Sequence, residues 1–156
     1  MKTLVNPEVN EEMVESLFQL WNAEYPINIK WNSKADFIDY LNGLEKLEHI
    51  LVKSGENICA WFFSFRHDNK PFFGMIVHSA YHGKRVGKTL IEKAKEVHQE
   101  LNGWIVPHSD YLKTDGSPYK SPLYFYKKCG FEILENSKFE TDKLKTIQVR
   151  WLAVSK

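Results

Sequence analysis

The sequence lacks most of what would mark a specialised class. It has only two cysteines, Cys59 and Cys129, far apart and at no metal or redox spacing. Zinc modules and disulfide scaffolds are therefore excluded, and the expected reading is two buried, reduced thiols. The longest apolar runs, Ile58–Phe63 and Phe72–Val77, are too short to span a bilayer, so no membrane partner is expected. The opening Met1-Lys2-Thr3-Leu4 has no signal-peptide core, and the expected location is cytoplasmic. Net charge is only +1, which argues against a general binder of nucleic acid or anionic membrane. No Gly-x-x-x-x-Gly-Lys-Ser/Thr loop is present, which disfavours a nucleotide-phosphate binder of that kind. Repeats, low-complexity tracts and linkers are also missing.

What remains is an ordinary domain-sized chain of 156 residues, 43 % hydrophobic and 26 % charged. Thr3–Val5 reads as a short strand. Asn6-Pro7-Glu8 reads as a cap, a first-turn proline and an acid, opening a helix that Pro26 stops. Ser33 with Asp36 opens a second helix, with a stripe of Phe37, Ile38, Leu41 and Leu44. The period then changes. His49–Lys53, Ile58–Phe65 and Phe72–His78 read as an antiparallel meander separated by turn residues. Val86, Leu90, Ala94, Val97 and Leu101 recur at helical spacing, which predicts a helix over Val86–Leu101 with Gly103 as its C-cap. Trp104–Val106 follows as a strand, parallel to Phe72–His78 because a helix joins them. His108–Lys120 is a polar loop, long enough to suggest a role. Ser121-Pro122 caps a short helix, Leu123–Lys128, broken by Gly130. Phe131–Leu134 and Thr146–Ala153 are the last strands, joined by Asn136–Lys145.

One stretch carries chemistry. Ile76–Lys88 passes from an apolar strand through a loop into a helix, with Gly83 and Gly87 at the helix start. N–H groups at a helix start have no intrahelical partner and carry partial positive charge, so the place suits an anion. Lys84, Arg85, Lys88, Lys93 and Lys95 face a single acid, Glu92. Cations at a helix start are unfavourable in isolation and favourable beside a polyphosphate.

Two stretches resemble the GNAT superfamily of acyl-CoA-dependent N-acyltransferases. His82-Gly83-Lys84-Arg85-Val86-Gly87 is similar to its acyl-CoA loop, Arg/Gln-x-x-Gly-x-Gly/Ala. Leu123-Tyr124-Phe125-Tyr126-Lys127-Lys128-Cys129-Gly130-Phe131 looks like its late helix and following strand. The resemblance implies a single-domain α+β fold over residues 1–156, with a mixed, mostly antiparallel sheet of about seven strands and about four helices. It implies acetyl-CoA as co-substrate, no metal, and an amine of a small molecule or peptide as acceptor, attacked directly in a ternary complex. A non-catalytic acyl-CoA-binding module of the same fold is the alternative, and whether the chain works alone or as a homodimer is left open.

The resemblance also assigns residues. His82, Gly83, Lys84, Arg85, Val86, Gly87 and Lys88 would hold the pyrophosphate. Ile76 and Val77 would pair with the pantetheine arm by strand addition, an N–H near Val77 would polarise the carbonyl, and Tyr126 would protonate the departing sulfur. Four positions depart from the family pattern, among them Pro122, which stands where Ala is common. His82 replaces Arg or Gln, Tyr119 stands where Asn is common, and Arg85 replaces Gly at a cost of roughly 1–2 kcal/mol if its φ is positive. The base is not readable: His78, His108 and water all remain open. Tyr25, Trp31, Tyr111 and Tyr119, with Glu24, Asp110 and Asp115, are expected to form an aromatic, acidic cleft for a cationic acceptor.

Overall fold

In His49–Val52 and Cys59–Phe63 every residue is buried, so both faces of the strands that carry them must be covered. A computed structural model, which describes residues 1–154, shows what covers them. β1 (Lys2–Val5) leads to α1 (Glu11–Glu24), a 3₁₀ turn at Ile27–Ile29, and α2 (Lys34–Asn42). β2 (Glu45–Ser54), β3 (Asn57–His67) and β4 (Lys70–Val77) form the antiparallel meander. α3 (Val86–Val97), β5 (Glu100–Ile105), α4 (Leu123–Lys128), β6 (Glu132–Glu140) and β7 (Lys145–Leu152) follow. The strands make one sheet in the order β1-β2-β3-β4-β5-β7-β6, and among the described residues only β4 and β5 pair in parallel. This is the expected α+β arrangement.

Alternation assigns the two cores. Leu51, Trp61, Phe63 and Ile76 face α1 and α2, where they meet Leu17, Leu20, Trp21, Phe37 and Leu41. Ile50, Val52, Phe62 and Phe73 face α3 and α4, where they meet Val86, Leu90, Ile91, Ala94 and Tyr126. Full burial of each large side chain is worth about 1.5–3 kcal/mol, so both layers are held firmly to the sheet.

Three local expectations are corrected. α1 starts at Glu11, not beside Pro7, because the Asn10 side chain supplies the cap by accepting the Met13 N–H at 2.9 Å. Asn6 instead stays bonded to His49 at the sheet edge. α3 ends at Val97, and Leu101 is buried from β5 instead of from the helix. Gly103 therefore lies inside a strand: a Cβ there would come within 2.9 Å of the Phe73 ring, which takes its place. Lastly, much of the supposed connection at Asn136–Lys145 is strand, because β6 continues past a bulge between Leu134 and Lys138.

The feature that makes a site is the brevity of the parallel pairing. β4 and β5 share only Phe72↔Asn102 and Phe73↔Gly103. Fully buried Asn102 ties them there. Its Nδ2 donates to the Pro71 carbonyl at 3.1 Å, and its Oδ1 accepts from Gln148 on β7 at 2.8 Å. Beyond that stitch β4 is unpaired on its β5 side.

Candidate active site

The hydrogen-bond parity of β4 decides which groups face the gap. His78 donates its N–H to the Cys59 carbonyl at 2.8 Å, so residues 78, 76 and 74 turn their backbone groups toward β3. Met75 and Val77 turn theirs toward the gap. Ile76, named with Val77 for the pantetheine arm, instead has its backbone on β3 and its side chain in the α1–α2 core. Val77 N–H and Met75 C=O have no protein partner among the described residues. They form a donor and an acceptor two residues apart on an open strand edge.

The loop at the start of α3 is built as a nest of donors. Gly83 has φ +78° and Arg85 φ +62°, so the chain twice enters the left-handed region. Among the described residues, nothing accepts from the N–H groups of Gly83, Arg85, Val86, Gly87 or Lys88, and the first helical bond runs from Thr89 to Arg85. Val86 anchors this turn by burying its side chain in the core. Of the basic side chains, Lys84 rests over the Tyr81 ring at 5.5 Å and Lys88 lies 3.9 Å from Glu92. The exposed Arg85 has no partner among the described residues.

Left-handed φ at Arg85 carries the strain that glycine would avoid. Arg85→Gly should therefore stabilise the protein by about 1 kcal/mol, the relief of strain exceeding glycine's extra unfolded-state entropy. Urea melts of the two proteins check this, and an unchanged or lower midpoint would mean the left-handed turn costs nothing here.

His82 closes the loop onto β4. Its Nε2 meets the Val77 carbonyl at 2.8 Å, and since a carbonyl only accepts, the ring must donate. The helix start itself lies beside the gap. A Cβ at Gly87 would stand 3.2 Å from Phe125 Cζ and 3.5 Å from Met75 Cε, so α3, α4 and the edge of β4 meet at this point.

Three phenols carry raised pKa values. Tyr126 of α4 is buried, edge-on to the Phe73 ring at 5.6 Å, and its hydroxyl bonds to no described residue. Burial first, then the nearby Tyr119 phenol and Cys129 thiol, raise its pKa far above that of a free tyrosine. Burial pushes Tyr119 up to about 12. Tyr25, just past α1, is also raised well above the usual value, by burial and then by Tyr119 and Tyr126, while the Met75 backbone N–H opposes the shift. All three stay protonated at neutral pH and serve as donors.

The acidic cleft does not form. Glu24 is buried and engaged twice, accepting from Ser79 N–H at 3.0 Å and pairing with Lys113 at 3.0 Å. Trp31 packs among Trp21, Phe37 and Tyr40 in the core. Tyr111 accepts from Lys145 N–H, and Asp115 closes a turn on Ser117. These contacts, with Ile27 N–H on the Leu112 carbonyl at 2.8 Å, pin the His108–Lys120 loop across the end of α1 and the start of β7. The Glu24–Lys113 pair joins residues far apart in the chain, and nothing in the local pattern of either signals it.

The two candidate histidines are also committed. His78 Nδ1 accepts from Ala80 N–H at 3.0 Å, and His108 Nδ1 accepts from Asp110 N–H at 3.2 Å. On a neutral ring held this way the proton sits on Nε2, and His108 Nδ1 also lies 3.5 Å from Asp110 Oδ2.

Comparison with known proteins agrees with this architecture. The family model for the acetyltransferase (GNAT) domain matches residues 46–133, more than half of the chain. The chain belongs to the GNAT acetyltransferase family. Among solved structures, an aminoglycoside 6'-N-acetyltransferase complexed with coenzyme A superposes with a TM-score of 0.71 at 11% identity, over 100% of this chain and 99% of that one. Escherichia coli ElaA gives 0.66 at 19% identity, over 96% of each chain. The ribosomal-protein-S18-alanine N-acetyltransferase of Escherichia coli gives 0.61 at 11% identity, over 99% of this chain and 97% of that one. At such identities the likeness is one of fold. No curated protein matches the sequence. Among the described residues, no helix is long and apolar enough to cross a membrane, and no cluster of metal-ligating side chains forms.

Proposed function

We propose that the chain is an N-acetyltransferase that moves an acetyl group from acetyl-CoA to an amine of a small molecule or peptide, by direct attack in a ternary complex. The observation that carries this reading is the meeting of the open β4 edge with the donor nest of α3. Val77 N–H and Met75 C=O suit an amide-bearing arm laid along the strand. The N–H groups of Gly83 and Arg85–Lys88 suit a pyrophosphate a short way on. Tyr126 packs on Phe73, where the β4–β5 pairing ends, and it is protonated and without a protein acceptor among the described residues, as a donor to a departing thiolate should be.

The acceptor amine has to enter from the α1–α2 side, the side of Tyr25. It meets phenols there and a carboxylate already neutralised by Lys113, so an uncharged amine is favoured over a polycation. Because each histidine Nδ1 already accepts a backbone N–H, the reading assigns the amine's proton to water.

Acetyl-CoA should stabilise the folded protein by mass action, by about 2.7 kcal/mol at a hundredfold excess over its dissociation constant, or roughly 5–10 °C in Tm. Pantetheine, which lacks the pyrophosphate, should do so less. Thermal melts read this directly, and no shift at millimolar acetyl-CoA would remove the reading. An amine panel followed by release of free thiol then separates an enzyme from a binding module.

A further inference from the structure

β4 runs out at Val77, and the loop that follows has to bring the donor nest of α3 beside the open edge. A 3₁₀ turn at Ser79–Tyr81 carries the chain off the strand. Its base is fixed from α1, where Glu24 takes the Ser79 N–H at 3.0 Å. Its far side is fixed by His82, whose Nε2 reaches the Val77 carbonyl at 2.8 Å. Gly83 comes next, with an N–H that finds no acceptor among the described residues, and Val86 then anchors the chain in the core. His82 is therefore the joint between edge and nest. Its ring holds the last residue of β4, and its backbone leads straight into the first donor of the nest.

The family resemblance counts His82 among the residues that hold the pyrophosphate, but its donors are spent elsewhere. Its backbone N–H goes to the Ser79 carbonyl at 3.2 Å, and its ring Nε2–H goes to Val77. A neutral ring with its proton on Nε2 keeps a lone pair on Nδ1, which repels a phosphate oxygen. The Val77 carbonyl is also the last group of β4 that faces the gap. Val77 stands opposite Ala60 while the neighbouring His78 N–H takes the Cys59 carbonyl, so the N–H and C=O of Val77 both turn away from β3. With that carbonyl covered by the ring, an arm laid on the edge pairs with Met75 C=O and Val77 N–H and no further. The ring ends the edge where the nest begins.

We propose that His82 is a positioning residue, which locks the open β4 edge and the donor nest into one site so that they grip two parts of one ligand together. This rests on the acetyl-CoA reading above. The arm and the pyrophosphate belong to one molecule, and both engage at once only when the nest stands at a fixed distance from the edge. Joining two weak sites gains affinity when their spacing matches the ligand, and the gain is lost when the spacing wanders. The loop itself is poorly held. His82, Gly83, Lys84 and Arg85 are all exposed, and the chain enters the left-handed region at Gly83 and Arg85. Among the described residues, the bond to Val77 is the only side-chain hydrogen bond from His82–Arg85 back to β4.

The test compares His82→Ala, which removes the tie, with His82→Gln, whose side-chain amide can donate to the same carbonyl. The ring is exposed and belongs to neither core, so both variants should fold. Three ligands are titrated by NMR: acetyl-pantetheine for the edge, ADP for the nest, and acetyl-CoA for both. In His82→Ala, acetyl-CoA should bind about 5–10-fold more weakly, the loss expected of one hydrogen bond. Each fragment should keep its wild-type Kd to within about twofold, because the lost term is the coupling and not either contact. His82→Gln should return acetyl-CoA to near its wild-type Kd. A merely structural residue would move the fragments as well. Loss of ADP affinity in step with acetyl-CoA makes the ring a phosphate ligand and overturns the proposal. An unchanged acetyl-CoA Kd in His82→Ala, or no recovery in His82→Gln, overturns it too. Nitrogen-15 spectra at alkaline pH give a second readout. His82 Nε2 should be protonated and Nδ1 bare, with and without acetyl-CoA, and a bare Nε2 overturns the proposal equally. A wild-type protein that binds no acetyl-CoA at all defeats the transferase reading instead, an outcome distinct from binding that His82→Ala leaves unaltered.

Discussion

Gly87→Asp should abolish acetyl-CoA binding and leave the protein folded. Two effects act against the ligand. A side chain in the first turn of α3 blocks close approach to N–H groups that have no acceptor among the described residues. Its carboxylate would also face a phosphate at about 4 Å, where like charges repel by roughly 4 kcal/mol at a surface-like dielectric, equivalent to about a 10³-fold loss of affinity. The fold pays little. The new Cβ would press on Phe125 Cζ at 3.2 Å and Met75 Cε at 3.5 Å, both ends of movable side chains. An acid in the first turn also gains about 0.3–1 kcal/mol from the helix dipole, which offsets the crowding. Gly87→Ala isolates the steric part and should weaken binding less. Calorimetry for affinity and thermal melts for folding decide the matter. Wild-type affinity in a folded Gly87→Asp protein would place the phosphates elsewhere.

Tyr126→Phe should lower kcat about 10²-fold, with KM for acetyl-CoA nearly unchanged. A general acid is typically worth about 10²–10⁴-fold, and a thiol with a pKa near ~8.5 leaves readily enough to put the effect at the low end. The melting temperature should barely move, since the hydroxyl makes no hydrogen bond to any described residue and the ring keeps its contacts with Phe73, Phe125 and Phe131. The pH profile adds a check. Because the Tyr126 pKa is raised, the group holds its proton through the alkaline range, so kcat should show no loss from its ionisation up to pH about 10. Full kcat in the variant would make this tyrosine structural and leave protonation of the sulfur to water.

How legible each feature was in the sequence followed from how local its causes are. The meander was readable because apolar strands bounded by turn residues declare themselves over a few neighbours, and Asp68 and Asn69 adopt the left-handed φ that a two-residue hairpin needs. Leu101 misled because it continues the helical spacing of Val86, Leu90, Ala94 and Val97 by coincidence. It is buried through its place in β5, a tertiary fact. Gly103 misled for a similar reason: the Phe73 ring that excludes a side chain there comes from another strand. The acidic cleft failed because Lys113 and Ser79 reach Glu24 from distant parts of the chain. The His82 contact with Val77 O lies only five residues away, yet it depends on how the loop folds back.

The sequence by itself determined the order of the elements and the small-residue, basic loop that opens α3. These depend on periodicity and on residue types a few positions apart, and chain neighbours are spatial neighbours at that range. It also placed Tyr126 in a family context. Only the tertiary structure decided that β4 and β5 part after Phe73, and that Met75 and Val77 rather than Ile76 face the gap. Only the structure brought Lys113 and the Ser79 N–H to Glu24 and so took it out of the expected cleft. The reason is physical. Which backbone groups are left open depends on where pairing stops, and whether a side chain is free depends on what else reaches it. Both are properties of contacts between distant segments, and in one dimension those segments carry no mark of one another.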